Sequence, residues 1–192
     1  MTGGGSTVTA TPIPHPDAPV GKALRYARVE RERRFLFAAL PAGTSVRRVL
    51  IEDRYLRGTR LRLRRSTNLD AADDVIYKLT QKVPAADGSP GLITNVYLSR
   101  AEYESLSALS ADVVRKVRSS VPPLGVDRFE GALNGLILAE VEFDDEASQR
   151  AFAQPPGAVA EVTADIRFTG GALARLTGAG LAELLAAFRI HV

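Results

Sequence analysis

Short runs of alternating polar and apolar residues recur along this chain, separated by turn signals such as Pro41-Ala42-Gly43, Arg57-Gly58 and Asp87-Gly88. Period-two alternation bounded by Gly, Pro and Asp is the signature of half-buried strands. It predicts strands over 26–37, 46–57, 59–66, 75–83, 91–98, 112–121, 126–130, 135–143 and 159–164. Helical spacing is confined to 99–109, 144–152 and 177–189. The first of these opens with Ser99 followed by Glu102, a capping box. The last carries Leu181, Leu184, Leu185 and Phe188 at helical spacing after Thr177. There is no internal repeat. Met1–Val20 is rich in Gly, Thr and Pro and reads as a flexible tail, leaving 21–192 as one domain. Many antiparallel strands with few helices predict an α+β, mainly β architecture, either a barrel or a strongly curved sheet.

Residues two apart on a strand share a face, and the charges on these strands align accordingly. Glu30, Glu32 and Arg34 point one way in the first strand. Arg60, Arg62 and Arg64 share a face opposite Leu61 and Leu63. Lys78, Thr80 and Lys82 align, as do Lys116 and Arg118. Glu140 and Glu142 lie opposite Ile137, Ala139, Val141 and Phe143. The bland reading, a set of solvated faces, suits any one strand. It suits the set less well, because like charges about 7 Å apart repel unless a counter-ion lies between them. If the sheet closes, cationic rows face anionic phosphoryl oxygens and carboxylates face a hard divalent cation. A triphosphate chain requires both.

Composition narrows the chemistry. The 192 residues include no cysteine, and the two histidines, His15 and His191, lie near the ends. Disulfides, thiolate metal sites and a cysteine nucleophile are excluded, and a Ser/His/Asp triad or a His-rich zinc site is disfavoured. Any reaction rests on carboxylates, lysines and arginines. The net charge is only +3 and aromatic residues make up 6% of the chain, which argues against nucleic acid as a partner. No apolar run reaches the roughly 18 residues of a membrane span. No leader is recognisable, so a cytoplasmic location is expected.

The order of motifs adds a family resemblance. Val29-Glu30-Arg31-Glu32-Arg33-Arg34-Phe35-Leu36 resembles the ExExK signature that opens CYTH-superfamily proteins, the triphosphate tunnel metalloenzymes. Ile51-Glu52-Asp53-Arg54-Tyr55-Leu56 and Thr59-Arg60-Leu61-Arg62-Leu63-Arg64 are similar to the family's tyrosine-leucine and RxR strands. Tyr77-Lys78-Leu79-Thr80-Gln81-Lys82 resembles its LTxK strand, and Arg115-Lys116-Val117-Arg118 its KxR strand. Gly135–Phe143 is similar to GLxLAEVEF, and Glu161–Phe168 to EVTxDxRY. The match runs in order from about Arg25 to Leu173.

The resemblance implies an eight-stranded antiparallel β-barrel with a few peripheral helices, whose tunnel binds triphosphates. It implies Glu30, Glu32 and Glu161 as ligands of Mg²⁺ or Mn²⁺, with Glu140 and Glu142 as further ligands or water-positioning groups. Arg34, Arg62, Arg64, Lys82, Lys116 and Arg118 would grip the phosphates, with Arg60, Lys78 and Arg167 in support. Two departures stand out. Arg34 replaces the ExExK lysine, and Leu92-Ile93-Thr94-Asn95-Val96-Tyr97 lacks the glutamate that many members carry. The resemblance makes hydrolysis of inorganic triphosphate or a small organic triphosphate the leading expectation, while the missing acid favours a sensor. A non-catalytic triphosphate or polyphosphate sensor and a class IV-type adenylyl cyclase are the alternatives. The expected partner is a small-molecule triphosphate, without nucleic acid or membrane, bound by a monomer or homodimer. Glu52, Asp53 and Arg54 read as surface or turn charges. Arg31, Arg33 and Arg65 read as solvated on the opposite face, and Tyr26, Tyr55 and Tyr77 as packing residues. Asp165 either organises a turn or joins the site.

Overall fold

The alternating segments become ten strands and four short α-helices in a computed structural model that describes residues 26–43, 45–83 and 91–191. The expected tail and the Asp87-Gly88 turn lie outside the described residues. The first expected strand is interrupted, giving β1 (Arg28–Val29) and β2 (Glu32–Phe37). There follow β3 (Arg47–Leu56), β4 (Leu61–Asn68), β5 (Val75–Val83), β6 (Leu92–Leu98), β7 (Ala111–Val121), β8 (Leu124–Phe129), β9 (Ile137–Glu142) and β10 (Ala158–Glu161). The helices are α1 (Arg100–Ser107), α2 (Glu146–Ala151), α3 (Gly170–Leu173) and α4 (Gly178–Ala186). Of these, α3 was not expected; four residues are too few to set up a helical repeat. The Ser99–Glu102 capping box forms as anticipated, with Glu102 accepting from the Ser99 backbone at 2.7 Å.

All ten strands belong to one antiparallel sheet, in the order β1-β6-β5-β4-β3-β7-β8-β9-β2-β10. The sheet has two ends, so its ladder is not the closed eight-stranded ring of the sequence expectation. It is nevertheless strongly curled. β1 pairs with β6, while β2, which begins three residues after the end of β1 pairing, lies at the far side against β9. Three residue steps span at most about 11 Å, so the two sides of the sheet approach each other at Glu30 and Arg31. There the Glu30 amide donates to the Gly91 carbonyl and the Phe143 amide to the Arg31 carbonyl, each at 2.9 Å.

Two apolar clusters hold this shape. On the outer face, Phe35, Phe37, Val126, Ile137, Ala139 and Val141 pack beneath Phe143 and Phe152. On the inner face, Leu36, Val114, Phe129 and Leu138 meet Val162, Phe168, Leu173, Leu181, Leu184 and Leu185 of the C-terminal segment. Each fully buried Leu or Phe contributes about 1.5–3 kcal/mol of transfer free energy. The C-terminal helices thus cover one end of the inner face, a role the sequence left open.

Candidate functional site

Register fixes which side chains share the inner face. Asp53 lies opposite Arg64 and Val114, Arg64 opposite Lys78, and Thr80 opposite both Arg62 and Asn95. Arg118 lies opposite Asp127, Glu140 opposite Arg34, and Glu142 opposite Glu32. Two residues further along these same rows come the apolar groups Leu36, Val114, Phe129 and Leu138, which meet the C-terminal helices. Each row is therefore charged over one part of the sheet and apolar where it is capped.

The charged part is densely paired. Asp53, 1% exposed, accepts from Nε and Nη2 of Arg64 at 2.6 and 2.7 Å and lies 3.5 Å from Nε of Arg62. Burial works to raise its carboxyl, but Arg64 and then Arg62 overcome this and hold it well below the usual carboxylate range. Asp127, fully buried, accepts from Lys116 at 2.5 Å and from Arg118 at 2.7 and 2.6 Å. Arg118 also pairs with Glu140. Burial opposes the Glu140 charge, yet Arg118 and Lys116 keep its carboxyl low. Lys82 meets Glu30 at 2.5 Å. Burial, then Arg64 and Arg62, lower the Lys78 ammonium to about 8.

The curl brings charges on distant strands within reach of one another. Arg64 on β4 helps lower Glu140 on β9, and Glu142 on β9 supports the Lys78 charge on β5. In a flat sheet with strands about 4.8 Å apart these pairs would be separated by about 19 and 24 Å. At such distances, solvent and salt would largely screen them.

The predicted residues divide into those brought together and those left out. Glu30, Glu32, Arg62, Arg64, Lys78, Lys82, Lys116, Arg118, Glu140 and Glu142 share the inner face. Arg34 does too, but its Nη1 donates to the Phe168 carbonyl at 2.7 Å and its Nη2 to the Thr163 carbonyl at 2.9 Å. It ties the C-terminal segment to β2. Arg60 is exposed just before β4, where its carbonyl accepts from the Lys82 amide. Arg167 is exposed and held by Asp165 at 2.6 Å, and Asp165 organises a turn by accepting from the Arg167 amide. Glu161 is paired in register with Phe35, on the face opposite Glu32 and Arg34. There it accepts from Arg33 at 2.9 and 2.5 Å. Arg33, expected in solvent, is instead engaged and packs over Phe35 and Phe152.

Two acids escaped the sequence reading. Asp53 is not a surface charge, and Asp127 was not singled out at all. The signal was hairpin register. The short turns at Arg57-Gly58 and Pro122-Pro123 place Asp53 opposite Arg64 and Arg118 opposite Asp127. Asn95, on the strand that lacks the expected glutamate, accepts from the Thr80 hydroxyl at 2.8 Å.

For a divalent cation the donor chemistry is the relevant test. Among the described residues no three Asp, Glu, His or Cys groups lie close enough to form a ready-made cage. Glu32 nevertheless has its carboxyl raised by burial and then by Glu140, with Glu30 adding to the effect. Glu32 is thus the carboxylate at which a hard cation, completing its shell with water and phosphate, would relieve repulsion from Glu140 and Glu30. Among the described residues, no helix is long and apolar enough to cross a membrane.

No family model and no curated protein matches this sequence. Among solved structures it is similar to the hypothetical protein NE1496, with 30% identity, 77% of this chain and 99% of that one covered, and a TM-score of 0.52. A second structure of NE1496, described as an inorganic triphosphatase, matches at 28% identity over 77% of this chain and 95% of that one, with a TM-score of 0.51. With the ordered motifs and the inward rows of charge, this likeness establishes that the chain belongs to the CYTH superfamily of triphosphate tunnel proteins.

Proposed function

We propose that the curled sheet encloses a tunnel, an eight-stranded barrel in its essentials, that binds a triphosphate and hydrolyses its terminal phosphoryl group with a divalent cation. The observation carrying this reading is the convergence on one face of Arg62, Arg64, Lys78, Lys82, Lys116 and Arg118 with Glu30, Glu32, Glu140 and Glu142. The likeness to NE1496, an inorganic triphosphatase, supports it. Arg is suited to bridging phosphoryl oxygens two at a time, and Lys supplies a mobile point charge. The cations neutralise charge on the phosphate chain, and the apolar cap limits water from one end.

Glu30 and Glu32, with Glu142 opposite Glu32, would hold Mg²⁺ or Mn²⁺; Glu161, held by Arg33, has no part in this reading. The ion would supply Lewis-acid polarisation of phosphoryl oxygens. Attack on the terminal phosphorus would be in line by water, its proton passing to Glu32 or Glu142, while the P–O bond to the rest of the chain breaks and that diphosphate portion leaves as the anion. Asn95 has no basic group to replace the missing carboxylate, so turnover is slower than binding would suggest. An organic head group has a surface to rest on, because Tyr97, 73% exposed, and Ile76, 41% exposed, lie in the same inward rows as Lys78.

Phosphate release with Mg²⁺ or Mn²⁺ is measured across tripolyphosphate, ATP and thiamine triphosphate. Release from at least one of them is expected, and Glu30→Ala with Glu32→Ala abolishes it. Tight binding without release would establish the sensor instead, and cyclic AMP formation from ATP the cyclase.

A further inference from the structure

We propose that Asp53 is a positioning residue for the phosphate grip: its carboxylate, buried between Arg62 and Arg64, holds the two guanidinium groups side by side before substrate arrives. The proposal rests on the triphosphate reading above. Arg62 and Arg64 are alternate residues of β4, so their Cα atoms lie about 7 Å apart on one face. Two such cations repel, and without an anchor their long side chains would splay or fold away. Asp53 uses both oxygens on Nε and Nη2 of Arg64, at 2.6 and 2.7 Å, and sits 3.5 Å from Nε of Arg62. Arg62 is further steadied by Thr80, whose hydroxyl accepts from Nη2 at 3.3 Å.

The anchoring leaves donors unused. Nε of Arg62 is buried without a hydrogen-bond partner among the described residues. That Nε faces Asp53 at 3.5 Å, an ion-pair contact without a hydrogen bond, so the guanidinium is held in place without using up its donors. A carboxylate in an anion site looks counterproductive, since it repels the ligand. Here it is fully engaged with guanidinium, and preorganisation of the donors outweighs the repulsion, because the ordering is done before binding.

Asp53 also reaches Lys78. The groups acting on that ammonium are Arg64 and Arg62 from β4, Asp53 from β3 and Glu142 from β9; Tyr97 of β6 lies opposite it in register. Asp53 favours its charged form, so loss of the carboxylate shifts the pH range over which the grip works. A role confined to holding the fold would lower the melting temperature while leaving tripolyphosphate affinity unchanged in the folded variants.

Tripolyphosphate is titrated calorimetrically into wild type, Asp53→Asn and Asp53→Glu from about pH 6 to about pH 10, with thermal melts alongside. Asp53→Asn is expected to bind roughly tenfold or more weakly, with its alkaline loss of affinity beginning at lower pH than in wild type. Asp53→Glu keeps the buried charge and therefore the alkaline limit, but misplaces the guanidinium pair and weakens binding at every pH. If Asp53→Asn does not fold, Asp53→Glu carries the test. Wild-type affinity in the folded variants would overturn the positioning role while leaving the triphosphate reading intact. Failure of the wild type to bind tripolyphosphate would overturn both.

Discussion

Lys78 is the inner-face cation whose charge is most sensitive to its surroundings. Its ammonium, lowered to about 8 by burial and by Arg64 and Arg62, is charged below that pH and neutral above it. If a triphosphate binds the charged form, as proposed, affinity is expected to be level up to about pH 8 and then to decline by up to about tenfold per unit. In Lys78→Arg, whose guanidinium does not titrate, the decline contributed by this residue is absent. Titrating both proteins with tripolyphosphate cancels the ligand's own protonation. Stability moves oppositely. Between about 8 and 10.5 the unfolded chain binds this proton more readily than the folded one, so folding is favoured as pH rises through that window. At this scale the sequence was informative where charges alternate cleanly, as in Arg60-Leu61-Arg62-Leu63-Arg64. It misled at Glu52-Asp53-Arg54, three consecutive charges that read as surface although the middle one is 1% exposed. Alternation from Ile51 through Asp53 to Tyr55 already puts Asp53 inward, but only the hairpin register supplies its partner, Arg64.

The elements explain why the charged row ends where it does. β2, β3, β7, β8 and β9 each change from charged to apolar within two residues, and the C-terminal helices close over that apolar end. Their approach depends on Gly170 at the start of α3. A Cβ there would lie 1.8 Å from the Tyr55 hydroxyl oxygen and 2.7 Å from its ring carbon. Tyr55 is held in place beside Arg62 and Asp53, and burial, then Asp53, push its hydroxyl up to about 12. Gly170→Ala therefore forces either the helix or the ring to shift, at about 1–3 kcal/mol. That corresponds to a fall in melting temperature of roughly 2–10 °C. Tyr55→Phe in the same chain recovers part of the loss, because the shortest contact disappears; differential scanning calorimetry of the three variants checks this. Period-two alternation located the long strands well, and the Ser99 capping box located α1. The break between β1 and β2 was not legible, because Glu30 and Arg31 continue the alternation and only their hydrogen bonds to different neighbours, Gly91 and Phe143, part the strand.

Across the whole molecule, the proposed function depends on curvature, which no local pattern encodes. Same-sign rows on separate strands were legible, but their meeting across β4 and β9 follows from the accumulated turn of the sheet. The ordered motifs supplied that expectation through family resemblance. Motif order could not tell which face of β10 Glu161 takes; in the structure it is in register with Phe35 and paired with Arg33. The structure of the protein with bound tripolyphosphate tests the central claim most directly. The account predicts a phosphate chain lying along the inner face, its oxygens on Arg62, Arg64, Lys116 and Arg118, with the Asp53–Arg64 pair unbroken. Tripolyphosphate held on the outer face near Arg33 or Arg167, with the inner rows untouched, would contradict it.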